Sequence, residues 1–252
     1  MFFVWFALGL VARDAPSPRP SGGASLPNDA LSLVQRLHEQ PSPRPSVLYV
    51  TGGGTQLVPW LLCVPGASRT VLEVQVPYAQ RSFDQLTGEA PEQYCSAGAA
   101  RLLAEAAFRR ACELVDGGSS GGDCVGLGCT AVLRSEPPKR GQHRCFVAVH
   151  SAAGVRELEL TLAKDAGRSR VCEDEVVSRC ALLALAAECG LDVPGAEFWR
   201  LDGDEDDAAA AAEPEQLALT FTPHPGVSSR DVAARAHGEP HAAGGEVEED
   251  AA

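Results

Sequence analysis

Lysine is almost missing from this chain: of 252 residues, only Lys139 and Lys164 are lysines. Chemistry that calls for an amine base therefore has two candidates and no more. Basic residues as a whole are outnumbered, 21 Lys and Arg against 34 Asp and Glu, for a formal net charge of −13. Proteins that grip a nucleic-acid backbone need a basic footprint, so no nucleic-acid partner is expected. The acids do crowd toward the C-terminus, which leaves the middle of the chain less negative. Aromatic residues are few, at 6%, so the core is expected to be built from Ala, Val and Leu. Nine cysteines include no CxxC pair. The usual spacing of a zinc site is absent, no metal is expected, and the thiols read as reduced and buried, in a reducing compartment.

An apolar run long enough to cross a bilayer is missing as well. The opening stretch "MFFVWFALGLVA" has twelve uncharged residues, where a spanning helix needs about 20. It has the apolar core of a signal peptide without the basic residues that precede one. A cleaved signal, an organellar targeting piece and an over-extended start all fit. Together with the thiols, this makes a cytoplasmic or organellar location the expectation ahead of secretion.

What is present divides the chain in three. Residues 1–28 are the apolar N-terminus followed by a Pro/Ser/Gly-rich linker, "RDAPSPRPSGGASLPN". Residues 29–202 carry the patterned sequence and read as one domain. Residues 203–252, with "DGDEDDAAAAAEPEQ" and "HGEPHAAGGEVEEDAA", hold too few large apolar residues to offset chain entropy. They read as an acidic, Ala-rich, mostly disordered tail interrupted by "LALTFTPHP".

Within the domain, Asp29 is a candidate cap for a helix whose stripe is Ala30, Leu31, Val34 and Leu37. "SVLYVT" at 46–51 reads as a buried strand, 55–64 as a helix and 69–78 as a second strand. A short helix ends at Gly88, and Ser96 caps a long one over 97–115. Then come a strand at 124–133, a hairpin of 144–151 and 155–163 turning at Ala153-Gly154, and a last helix over 173–190. Helices alternating with strands, then a hairpin, predict a three-layer α/β/α sandwich on a mixed sheet.

The stretch with the most chemical content is "YVTGGGTQLVPW". A glycine-rich turn between strand and helix aims unpaired N–H groups and the helix dipole at one spot, which suits an anion such as phosphate. Gly52, Gly53, Gly54 and Thr55 are the candidates. The pattern is neither GxxxxGK[ST] nor GxGxxG, and a bare turn that packs the helix on the strand explains the glycines equally simply.

Further motifs follow in order. "PGAS" comes after "VTGGG", and "VPYAQRSF" after that. Ser96 opens the long helix, "GLGCTAVL" covers 126–133, and Arg170 precedes "VCEDEVV". In this order, over residues 46–190, the chain resembles the C-terminal domain of the CinA family, the nicotinamide-nucleotide amidohydrolases. These deamidate nicotinamide mononucleotide to nicotinic acid mononucleotide and ammonia. The resemblance implies an amidohydrolase acting on the amide of nicotinamide mononucleotide or a similar small amide, without a cofactor. Counted back from Pro65 without a gap, Thr51 falls on the family's serine nucleophile. Matching TGG to TGG directly puts Tyr49 there instead. Tyr78 falls on the family's tyrosine, Thr130 on its threonine and Arg170 on an arginine. The glycine turn with Thr55, Thr130 and Arg170 would then hold a nucleotide phosphate. The implied ligand is a small-molecule nucleotide. The divergent branch with GGG and VPY precedes a nucleotidyltransferase domain in some eukaryotic proteins, which suggests a nucleotidyltransferase as partner. The Ala/Leu face of the long helix offers either a homo-oligomer contact or simple packing on its own sheet.

No single motif is intact. The lysine that helps to activate the family's serine falls on Phe83, which has no basic atom. A hydroxyl needs a base nearby to become a nucleophile, and only Lys139, Lys164, Glu73 and His150 stand as replacements. A second function therefore stays open beside the amidohydrolase: a non-catalytic nucleotide-binding or regulatory module of pyridine-nucleotide metabolism. A third is a structural or dimerising remnant.

Overall fold

The computed structural model describes residues 26–116, 123–138, 140–164, 167–193 and 216–223. The N-terminal stretch up to residue 25, Lys139 and most of the tail from 203 lie outside them.

A six-stranded mixed sheet forms the middle layer, in the order β2-β1-β3-β4-β5-β6. Strand β1 is Ser46–Thr51, β2 Val71–Gln75, β3 Val125–Val132, β4 Arg144–Ser151, β5 Gly154–Thr161 and β6 Gln216–Pro223. β1 runs parallel to both β2 and β3, and the remaining pairs are antiparallel. The sixth strand lies inside the segment whose composition reads as tail. It continues the sheet by pairing with β5 from Gly154↔Pro223 to Thr161↔Gln216. The hairpin turn is displaced by one residue from its expected place. Ser151 pairs with Gly154, so Ala152 and Ala153 make the two-residue loop.

Alternation along the strands assigns the faces. Leu48 and Val50 of β1, and Val125, Leu127 and Cys129 of β3, point to one side. There they meet helix α1 (Asn28–Glu39), α2 (Leu57–Cys63) and α5 (Arg170–Glu188). Val47 and Tyr49 point to the other side, against α3 (Gln80–Thr87) and α4 (Ala97–Asp116). The three-layer expectation holds.

Capping explains several helix limits. The Ser96 hydroxyl accepts the Ala99 N–H at 3.1 Å, as expected for the start of α4. Ser169, not singled out in sequence, accepts the Cys172 N–H and starts α5 three residues early. Gly88 closes α3 with a φ of 88°. Asp29 does not cap α1, whose preceding residue is Pro27 with no side-chain bond. Its carboxylate accepts the Ala30 N–H of the first turn at 2.8 Å and is held by Arg179, which is fully buried and also grips Glu175. A guanidinium is tolerated inside a protein only when paired in this way.

Helix α4 sits closer to the sheet than side chains allow. A Cβ added at Gly128 would stand 2.2 Å from the Ala100 carbonyl oxygen, and one at Gly126 2.1 Å from the Phe108 nitrogen. The two glycines of β3 are the seat of the helix. Its inward face, Ala99, Ala100, Leu103, Ala104 and Ala107, is buried against the sheet. Arg101, Glu105 and Arg109 face outward. The Ala/Leu face that suggested a subunit contact is used inside the domain.

Buried His38 fastens the opposite layer. One ring nitrogen bonds the Leu61 carbonyl at 3.0 Å and the other the Thr70 hydroxyl at 2.6 Å, an arrangement satisfied by the neutral Nε2–H tautomer. Burial lowers its pKa from the ordinary 6.5, against the pull of the Leu61 carbonyl and with a push from Arg69. The unfolded chain therefore takes up a proton at a pH where the fold does not. The stability due to His38 is complete above pH 6.5 and falls as pH drops below that value through the lowered one. Urea titrations between about pH 5 and 7 are expected to show this loss, and His38→Gln to flatten it.

Candidate functional site

The chain leaves β1 through α2 on one face and returns to β2, then crosses to β3 through α3 and α4 on the opposite face. The carboxyl ends of β1 and β3 thus flank the point where connections diverge, and such a crevice is where open α/β sheets take ligands. A hollow of about 180 Å³ lies there. The strand ends give it Thr51, Gly52 and Thr130, while the crossing segment gives it Tyr78, Phe83 and Cys95.

Thr51 and Thr130 are Cα partners in the parallel β1–β3 ladder, so they stand side by side on the α4 face. Both are nearly buried. The Thr51 hydroxyl donates to the Pro77 carbonyl at 3.2 Å, and the Thr130 hydroxyl donates to that of Tyr94. Tyr78 lines the mouth with its side chain largely in solvent, 71% exposed. The other register's candidate, Tyr49, is buried lower on β1 and donates to Glu73 at 3.2 Å. Only the ungapped register puts a hydroxyl in the hollow.

The glycine turn behaves differently from the expected phosphate cradle. Gly52 and Gly54 take φ values of 77° and 83°, and a Cβ at Gly52 would fall 2.0 Å from the Ala131 carbonyl oxygen. The turn is pressed onto the end of β3, and only glycine fits. Gly53 and Gly54 pack on Leu133, Cys129 and Val177. The donors at the start of α2 are already taken. The Asp174 carboxylate of α5 accepts the Thr55 N–H at 3.3 Å, the Thr55 hydroxyl at 3.1 Å and the Gln56 N–H at 3.0 Å. An internal carboxylate satisfies the orphan amides that the sequence offers to an anion. Arg170 is also committed. Its guanidinium donates to the Arg134 carbonyl at 2.8 Å and the Gly52 carbonyl at 3.2 Å, bracing the wall from outside. Of the eight residues singled out in sequence, Thr51, Gly52, Tyr78 and Thr130 come together at the hollow. Gly53, Gly54, Thr55 and Arg170 do not line it.

Among the described residues, no replacement base is in the lining, and Lys139 lies outside them. Phe83, at the lysine position, is 1% exposed and meets Tyr94 edge to face at 5.4 Å. Glu73 pairs with Val47 near the start of β1, away from the hollow. Burial alone would raise its pKa, but hydrogen bonds from Gln75, Arg110 and Tyr49 hold it below the usual carboxylate range. His150 stacks on Phe108 and faces Gly126, at the opposite end of β3. Lys164 donates to the Gly141 carbonyl. Cys95, which no sequence signal marked, does line the hollow. Burial, helped by Cys145 and opposed by Arg144, pushes its thiol up to about 11, so it stays protonated at neutral pH.

Fold and crevice together define an α/β/α sandwich with a small-ligand hollow at its switch point. Compared by sequence, the chain matches no family model and no curated protein. Solved structures do match. The competence/damage inducible protein CihA from Agrobacterium tumefaciens has a TM-score of 0.50 and 18% identity, over 66% of this chain and 98% of that one. A CinA superfamily protein from Escherichia coli has 0.42 and 15%, over 64% and 86%. The competence damage-inducible protein ComA from Klebsiella pneumoniae has 0.40 and 12%, over 64% and 97%. The fold is like that of the Agrobacterium tumefaciens protein CihA. Among the described residues, no helix is long and apolar enough to cross a membrane.

Proposed function

We propose that the chain is a non-catalytic small-ligand-binding module on a CinA-like fold, acting in pyridine-nucleotide metabolism, with a nucleotidyltransferase as the partner it regulates. The observation that carries this is Phe83. A buried phenyl ring in the lining stands where the resemblance sets the family's lysine. The Thr51 proton is directed to a main-chain carbonyl, which cannot accept it in a reaction. Cys95 is held as the thiol rather than the nucleophilic thiolate. A hollow with hydroxyls, aromatic walls and, among the described residues, no general base is equipped to hold rather than to hydrolyse.

Calorimetry with pyridine compounds, followed by an ammonia assay, tests this. Saturable binding without ammonia release is expected, and Thr51→Val is expected to weaken binding about tenfold by removing one hydrogen-bonding group. Ammonia release from nicotinamide mononucleotide that disappears in Thr51→Ala would establish the amidohydrolase instead.

A further inference from the structure

We infer that Cys112 and Cys124 form a reversible dithiol–disulfide site, closed by a hydroperoxide, that clasps the end of α4 to the root of β3. The site lies at the end of β3 away from the hollow and does not depend on what binds there.

The seat of the helix brings the two thiols together. The backbone of Ala100 and Ala104 lies over Gly128, and that of Ala104 and Phe108 over Gly126, so α4 runs antiparallel to β3. A step of four residues along the helix rises about 6 Å. It matches two residues along the strand, about 6.7 Å. The next step on the same face sets Cys112 over Cys124. Cys124 and Cys112 both pack in the cluster between α4 and the sheet, with Val47 and Leu103. Their sulfurs stand 3.3 Å apart. A disulfide bond is about 2.05 Å long, so the sulfurs need to close by roughly 1 Å.

The two thiols differ in access. Cys124 is buried, whereas Cys112 is half-buried near the end of α4. Burial, with the Cys112 sulfur beside it and against a pull from Arg44, pushes the Cys124 thiol up to about 12. Cys124 therefore keeps its proton and donates it toward Cys112, the sulfur that a reagent from solvent meets first.

The chemistry balances in two steps. The Cys112 thiolate attacks one peroxide oxygen, the O–O bond breaks, and the departing oxygen takes up a proton. Cys112 is then a sulfenic acid. Cys124 gives up its proton and its sulfur attacks that of Cys112. The S–S bond forms, the S–O bond breaks, and the hydroxyl leaves with that proton as water. The two thiols have lost two protons and two electrons, and the peroxide has gained them. A thiol reductant reverses the bond. Closed, it joins residues twelve positions apart and limits the freedom of the unfolded chain.

The experiment treats the full chain, reduced and freed of reductant, with hydrogen peroxide, alkylates the remaining thiols and maps the product by mass after cleavage at Glu113. Loss of two thiols is expected, restored by dithiothreitol, with the peptide that ends at Glu113 joined to the one carrying Cys124. The melting temperature is expected to rise by about 5–10 °C on oxidation. Cys124→Ser is expected to stop at a sulfenic acid on Cys112, trapped by dimedone, and to lose the peroxide-dependent rise. All nine thiols still free after peroxide, a disulfide between other cysteines, or a bond here that leaves the melting temperature unmoved overturns the inference. The map of the parent protein decides the matter even where the variant does not fold.

Discussion

Gly128→Val is expected to leave no folded protein at 25 °C. Adding a methyl to a well-packed core costs about 1–3 kcal/mol when neighbouring side chains can shift. At Gly128 the neighbours are backbone: the Ala100 carbonyl oxygen at 2.2 Å and the Ala104 nitrogen at 2.5 Å from an added Cβ. Those atoms belong to the α4 hydrogen-bond ladder and yield only if the whole helix lifts from the sheet. Lifting it uncovers Leu103, Ala104 and Ala107, and each large apolar side chain brought back into water forfeits about 1.5–3 kcal/mol. Leu103 together with Val47 and Phe146 beneath the helix brings the sum above about 5 kcal/mol, comparable with the whole stability of an ordinary domain. Circular dichroism should show loss of cooperative melting. Gly98→Ala is the control on the same helix. Its added Cβ meets only the Ser96 hydroxyl, at 3.8 Å, and is expected to shift stability by less than about 1 kcal/mol. A Gly128→Val protein that melts like the parent would mean that α4 does not dock where described.

Asp174→Ala is the second large effect. The carboxylate accepts the Thr55 and Gln56 amides, and it ties α5 to the start of α2. Hydrogen bonds with one charged partner contribute about 1.5–3 kcal/mol each, and orphaned buried donors add a penalty. Because the three bonds share one group they do not sum, so a loss of about 3 kcal/mol in urea unfolding is expected. The glycine turn loses its anchor with it, and affinity for any pyridine compound that binds the hollow should fall by more than tenfold. Asp174→Asn keeps one acceptor oxygen and should lose about half as much stability. If Asp174→Ala matched the parent in both stability and affinity, the carboxylate would have no part in shaping the wall.

Much of the architecture was legible because it rests on local pattern. β1 and β4 match their expected spans residue for residue, since each is a short apolar run between breakers. Ser96 announced α4 through a cap that acts within three residues. Long-range partners were not legible. Asp29 looks like a cap until Arg179, 150 residues away, is placed beside it. The same holds for the site. Thr51, Tyr78 and Thr130 were reachable only through the resemblance, whose motifs kept their order along the chain. Asp174 was visible only as an acid near a helix start. Nothing in sequence says that it reaches across to another helix rather than toward its own dipole. Cys95 and Tyr94 lie in the irregular stretch between α3 and α4, where no periodicity reports direction.

The crossing segment from Pro77 to Cys95 supplies most of the hollow's lining, whereas the sheet supplies only its back. The load-carrying scaffold and the surface that meets the ligand are thus separate stretches of polypeptide. Exchanging that one interval, while leaving β1, β3 and the glycine seat untouched, would re-tailor the chamber as an interchangeable cassette.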